Sequence, residues 1–264
     1  MRDVDMMDRH LAFALFERPV VLDLATVVDV LRKRHPGIEI DLSGAAPGTA
    51  SPVIRCAGVN VMLMVMPMPV PRESWDLPGR RAVATWPTAL EVLGRHGAHV
   101  VVSTVGQART PEQQLQAARA VTAVTGGLIA AVPAAAVLWD GLVAHSAERW
   151  EQLSRESFAG YPRIPFPLWV SIHPFRDGQI VGAITFGLRP FGGREIELEG
   201  AGADPKQVVR QVAGLIVYVL EHGAVLRDGD TLGAGESDRI RIQHLVSRRV
   251  QGLPVLQATV PAAA

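Results

Sequence analysis

The chain has 264 residues with 26 Lys+Arg against 26 Asp+Glu, so its formal net charge is zero and no global field favours nucleic acid or an anionic membrane. Hydrophobic residues make up 48% and charged residues 20%, the balance of a globular protein with one large core or two smaller ones. The single cysteine, Cys56, excludes an intrachain disulfide and any metal site of several thiolates, and in its apolar stretch it reads as a buried structural thiol.

Residues 1–9 are a charged lead-in without the apolar segment of a signal peptide, so the expected location is the cytoplasm. Leu11 to Phe16 predicts a buried strand. Asp23 predicts a helix cap, and Leu24, Val27, Val28 and Leu31 follow at helical spacing until Pro36-Gly37. Ile38 to Leu42 alternates as a strand, and Ser43 to Pro52 is a loop. Val53 to Val70 predicts one or two strands, with a turn at Gly58-Val59-Asn60 and a continuous apolar run over 59–66 that implies burial on both faces. Met62, Met64, Met66 and Met68 share one face of this run. They suit core filling, and a soft-metal or small-ligand sensor is the alternative use of such a stripe. After a loop holding Trp75, Pro78 and Gly79, Trp86 to His96 predicts a helix and His99 to Val105 a strand. The order strand, helix, strand, strand, helix, strand makes residues 1–106 a ferredoxin-like (βαββαβ) half.

Residues 107–264 predict a second half, a mainly antiparallel sheet with covering helices, so the whole is an α+β protein of two packed halves. Thr110-Pro111-Glu112 is a helix start, and Gly126-Gly127 is expected to close that helix near Thr125. Val121 to Trp139 is 19 residues without a charge, but its Ala, Gly and Thr content fits a buried helix end, a turn and a strand better than a membrane span. Ser146 to Ser157 reads as a surface helix. Leu168 to His173 and Ile180 to Leu188 are strands joined at Asp177-Gly178. Gly192-Gly193 then turns the chain into Glu195 to Glu199. Asp204-Pro205 starts a strong helix that ends at Gly223, and a strand near Arg239 to Leu245 and an Ala/Pro tail complete the chain.

Few residues are arranged as chemistry requires. Glu195, Glu197 and Glu199 alternate along one strand, which reads as a solvated face or a charge-guarded edge, with cation binding or acid–base work as the sharper use. Trp139-Asp140-Gly141 with His145 lies where a strand passes into a helix, so Asp140 is placed to orient His145 as a base, against the plainer roles of cap and packed tryptophan. His173, beside Ser171, is a further weak catalytic candidate without a nucleophile-elbow sequence. Arg189 and Arg194 flank the glycine turn and would suit an anion, although solvated hairpin positions explain them as well. Among the eight histidines no metal-binding spacing occurs, and no P-loop or dinucleotide fingerprint is present, so neither metal nor cofactor is expected. The best basic patch, Arg239, Arg241, Arg248 and Arg249, is offset by Glu236 and Asp238.

Three blocks carry a family resemblance: AAVLWDGLVAHSAERW, ITFGLRPFGGREIEL and LRDGDTLG. Together they resemble the bacterial domain of unknown function 4261, best over residues 100–250. The family segment T-x-G-[hydrophobic]-x-x-[FY]-G-x-x-E-[IL]-E falls here on Thr185, Gly187, Phe191, Gly192, Glu195, Ile196 and Glu197. The resemblance implies an α+β fold and no particular activity. By association it implies a bacterial accessory or immunity-type protein rather than a metabolic enzyme. The expected function is therefore non-enzymatic binding, with another protein or a second copy as partner and with neither nucleic acid nor membrane. Glu195, Glu197, Glu199, Arg189, Arg194 and Trp139 are its candidate binding residues. The alternative is a hydrolase with a cleft between the halves that uses Asp140, His145, His173 and the Glu195–Glu197 pair.

Overall fold

A computed structural model describes residues 10–45, 51–201, 204–233 and 240–259; the lead-in, Arg239 and the final Ala/Pro residues lie outside them. The chain divides into two compact units, residues 1–169 and 170–264, so the boundary falls well beyond the expected position at 106/107. Each unit is α+β and is built on one sheet.

The sheet of the first unit comprises β1 (Leu11–Phe16), β2 (Ile40–Ala45), β3 (Pro52–Cys56), β4 (Val59–Met66), β5 (Ala98–Thr104), β6 (Ala136–Trp139) and β7 (Val143–Ser146). Their order is β2-β3-β4-β5-β1-β6-β7, and every neighbouring pair is antiparallel. This is not the ferredoxin-like order. There, the last strand would sit on the outer side of β1, whereas β5 lies between β4 and β1 and the outer side of β1 is taken by β6. Residues beyond 106 therefore complete the first sheet.

Helices cover both faces. α1 (Leu24–Arg34) starts at Asp23, whose carboxylate accepts from the amides of Ala25 and Thr26. α4 (Pro111–Ala131) begins with a capping box between Thr110 and Gln113 and packs on β1, β3, β4 and β5. It does not stop at Gly126-Gly127. A Cβ on Gly127 would lie 2.4 Å from Leu31 Cγ, and one on Gly126 would lie 2.1 Å from Ser154 Oγ. The two glycines let α1 and the turn after α5 (Ala147–Leu153) approach α4 closely. On the opposite face α2 (Arg72–Ala82) and α3 (Ala89–Gly94) close over Leu15, Val70, Trp75, Leu93 and Leu138. α2 occupies the stretch expected as a loop, and it carries Pro78 inside it. Among the described residues, no helix is long and apolar enough to cross a membrane.

The second sheet comprises β8 (Ser171–Asp177), β9 (Ile180–Phe186), β10 (Glu195–Ala201), β11 (Thr231–Leu232), β12 (Ile240–Val246) and β13 (Pro254–Thr259), in the order β11-β12-β13-β10-β9-β8. It is mainly antiparallel, as expected, with one parallel pair, β10 and β13. The one-turn helix α6 (Arg189–Gly192) precedes β10. α7 (Pro205–His222) lies on β8, β9 and β10, with Val208, Val212, Ile216 and Val219 buried. It starts at Asp204 and ends at Gly223, as its sequence predicts.

Candidate functional site

The glutamates of β10 do not guard an edge, because β10 is an interior strand flanked by β9 and β13, and of the three only Glu199 is partly exposed. Glu195 and Glu197 are each only 2% exposed. A buried carboxylate is tolerated where donors surround it. Glu195 accepts from the Thr185 hydroxyl at 2.6 Å and from the amides of Gly187 (2.9 Å), Leu188 (3.1 Å) and Arg189 (3.2 Å). The same Thr185 oxygen accepts from the amide of Ile196 at 2.8 Å. The loop can converge on one carboxylate because Gly187 takes φ +107° and Gly193, which closes α6, takes +74°. A Cβ on Gly192 would meet Val219 Cγ1 at 2.6 Å, so α6 sits directly on α7. The motif Thr185, Gly187, Phe191, Gly192, Glu195 is thus one structural staple that fixes the β9–β10 connection.

Glu197 accepts from Ser247 Oγ at 2.5 Å, and that oxygen accepts in turn from the amides of Arg249 and Val250, both at 3.1 Å. Arg249 stacks on Phe175, its guanidinium carbon 3.8 Å from the ring centroid, within ion-pair range of Glu197 (3.6 Å), Glu199 (3.7 Å) and Asp177 (3.4 Å). One arginine of the expected patch, Arg249, is therefore paired with three acids.

In the first unit, Asp140 and His145 do not form a base pair with each other. Asp140-Gly141 is the turn of the β6–β7 hairpin, both residues having positive φ. The Asp140 carboxylate accepts from the Leu11 amide at 2.8 Å and faces His10 Nδ1 at 3.3 Å. His145 donates from Nε2 to the Leu168 carbonyl at 3.2 Å and packs on Trp150. Burial pushes its pKa down to about 4, so the ring is neutral at pH 7. Trp139 is fully buried against Trp150 and Trp169, with ring centroids 6.0 and 6.4 Å away, and offers no binding surface. The nearest approach to a nucleophile and base lies within β8, where His173 Nε2 is 2.9 Å from Ser171 Oγ.

Arg189 is exposed, and half-exposed Arg194 donates to the Leu245 carbonyl at 3.4 Å. Met62, Met64 and Met66 are half-buried and Met68 is 54% exposed, so the stripe does not fill the core, and the run 59–66 is not buried on both faces. Cys56 is the buried thiol expected, its pKa raised by burial to about 12. Among the described residues, no three His, Cys, Asp or Glu gather as metal ligands do.

Sequence reasoning missed the cavity beside Arg194 and His244 at the end of α7, lined also by Val219, Leu226, Pro254 and Leu256. Two of its walls are β12 and β13, and no strand is predicted from the sequence over the residues of β13. Its legible signal is the alternation of PVLQAT.

The molecule is an α+β protein whose second unit is a six-stranded sheet with a single long helix on one face. A family model described as Domain of unknown function (DUF4261) matches residues 184–258, the segment from β9 to β13. The resemblance carried by ITFGLRPFGGREIEL and LRDGDTLG is thus shown over these residues, whereas AAVLWDGLVAHSAERW and the rest of the expected span 100–250 lie outside the match. No curated protein and no solved structure matches the chain.

Proposed function

We propose that this protein works by binding rather than by catalysis, as a cytoplasmic bacterial accessory or immunity-type protein whose partner is another protein or a second copy of itself. The observation that supports this reading is the engagement of the acids and bases an enzyme would need. Glu195 holds three backbone amides and a hydroxyl, Glu197 holds Ser247, Asp140 holds the Leu11 amide, and His145 is a neutral core ring. A general acid or base must keep a polar atom for the substrate, and these groups direct theirs inward. The alternative hydrolase would have to draw on the same residues together with His173. Zero net charge and the pairing of Arg249 with three acids favour a protein partner over nucleic acid or a membrane.

Light scattering of the full chain, together with pull-down from bacterial lysate, tests the reading: a dimer or a retained partner protein is expected. A monomer that retains nothing overturns it. So does hydrolysis of p-nitrophenyl esters or phosphates that disappears in His173→Ala.

A further inference from the structure

α7 covers β8, β9 and β10 and stops at Gly223, leaving the β12–β13 corner of the same sheet face open. A cavity of about 510 Å³ occupies that corner. Its apolar walls come from Val219 at the end of α7, from Leu226 just beyond it and from Leu256 on β13. The apolar surface continues outward, since Val246 pairs with Pro254 beside the cavity and is 60% exposed.

Two polar side chains reach this wall. His244 is fixed, its ring donating from Nε2 to the Leu226 carbonyl at 2.9 Å. Arg194 also lines the cavity, and among the described residues no carboxylate comes within ion-pair distance of its guanidinium; its partner is the Leu245 carbonyl. The nearby acids are engaged elsewhere: Asp228 accepts from the His244 amide and Asp230 from the Arg227 amide, both at 2.7 Å. The carbonyls at the end of α7 are also occupied, that of Val219 by the Gly223 amide and that of Tyr218 by His222 Nδ1. A guanidinium with no carboxylate in ion-pair range among the described residues, on the wall of a cavity with apolar sides, is a site for an anion that carries an apolar body. One arginine balances a single negative charge, which favours a carboxylate over a doubly charged phosphate. Every residue lining the cavity falls within 184–258, the segment matched by the family model.

We propose that this cavity binds a small monocarboxylate, with its charged group on Arg194 and its apolar body against Val219, Leu226 and Leu256. The proposal rests on the reading of the protein as a binder and specifies one ligand class for it. Titration of the full chain with benzoate and with uncharged benzamide, followed by amide chemical shifts, tests it. Saturable shifts at Gly193, His244 and Leu256 are expected for benzoate, with benzamide weaker by roughly tenfold or more. Arg194→Gln should abolish that preference, Arg194→Lys should keep part of it, and Arg210→Gln on the exposed side of α7 should leave it unchanged. Absence of benzoate shifts, equal binding of benzamide, or an undiminished preference in Arg194→Gln overturns the proposal. A chain that fails this titration yet retains a partner protein loses the pocket and keeps the broader reading, whereas ester or phosphate turnover removes the broader reading.

Discussion

Glu195 shows how a residue can look like a site and act as a brace. Its carboxylate lies under the loop that leaves β9 and receives four donors, three of them backbone amides with no other partner of comparable charge. Glu195→Gln keeps the shape but turns one acceptor into a donor pointed at other donors. The expected loss is roughly 2–4 kcal/mol of unfolding free energy in urea. Thr185→Val, which removes one hydroxyl, should cost less. A loss below about 0.5 kcal/mol for Glu195→Gln, the scatter of surface substitutions, would show that the loop does not depend on the charge. The alternation Glu-Ile-Glu-Leu-Glu correctly predicts a strand. It misleads about exposure because polarity says which side of a strand a residue takes and not whether that side meets solvent. Ser247 and Arg249, 50 and more positions along the chain, decide that for Glu197.

At the scale of elements, glycine is informative only with its neighbours. Gly127 in α4 and Gly214 in α7 both sit inside long helices, although the sequence predicts a helix end at Gly126-Gly127 and lets the later helix run through Gly214. A Cβ at Gly127 would meet the Leu31 side chain at 2.4 Å, whereas at Gly214 nothing lies within 4 Å. Gly127→Ala is therefore expected to lower stability by about 1–3 kcal/mol through overpacking against α1. Gly214→Ala should raise it by about 0.5–1 kcal/mol by restricting the unfolded chain and improving helix propensity. Opposite shifts in the thermal midpoint check the pair, and equal signs would refute the packing argument. The same limit explains what was legible in the fold. The helices α1, α4 and α7 announce themselves by caps and periodicity. α2 is masked by Pro78 and Gly79, and Gly79 is there because a Cβ would strike Leu93 and Leu90 at 2.8 and 2.9 Å. β7 follows a turn at Asp140-Gly141 in which both residues take positive φ, whereas at 177–178 only Gly178 does, and β13 is a short run that starts at Pro254.

At the scale of the whole molecule, the two units are expected to differ in their response to acid. Elements with local signals were legible, whereas the division at 169/170 and the candidate cavity depend on strands brought together from distant sequence. His35 and His145, the two histidines whose pKa is pushed down to about 4, both lie in the first unit. For each, burial dominates the shift, and neighbouring arginines add to it at His35. In the unfolded chain such a ring takes up its proton near pH 6.5, while in the folded chain it stays neutral until about pH 4. Between those values the unfolded state binds more protons, so stability is complete above about pH 6.5 and falls as the pH drops toward 4. Fully developed, the loss at His145 is on the order of 3 kcal/mol. His145→Gln places an amide N–H near the position of Nε2 and does not titrate, so the variant should lose about half of the acid limb that the two rings share. Urea midpoints at pH 7.5, 5.5 and 4.5 give the slope, and amide exchange read separately on α4 and α7 assigns it to a unit. Equal slopes in the variant and the parent would mean that His145 is already protonated in the fold. A slope confined to α7 would mean that acid acts first on the second unit, against the placement of both rings. The expected result is a first unit that loosens in mild acid, because His35 and His145 both lie in it.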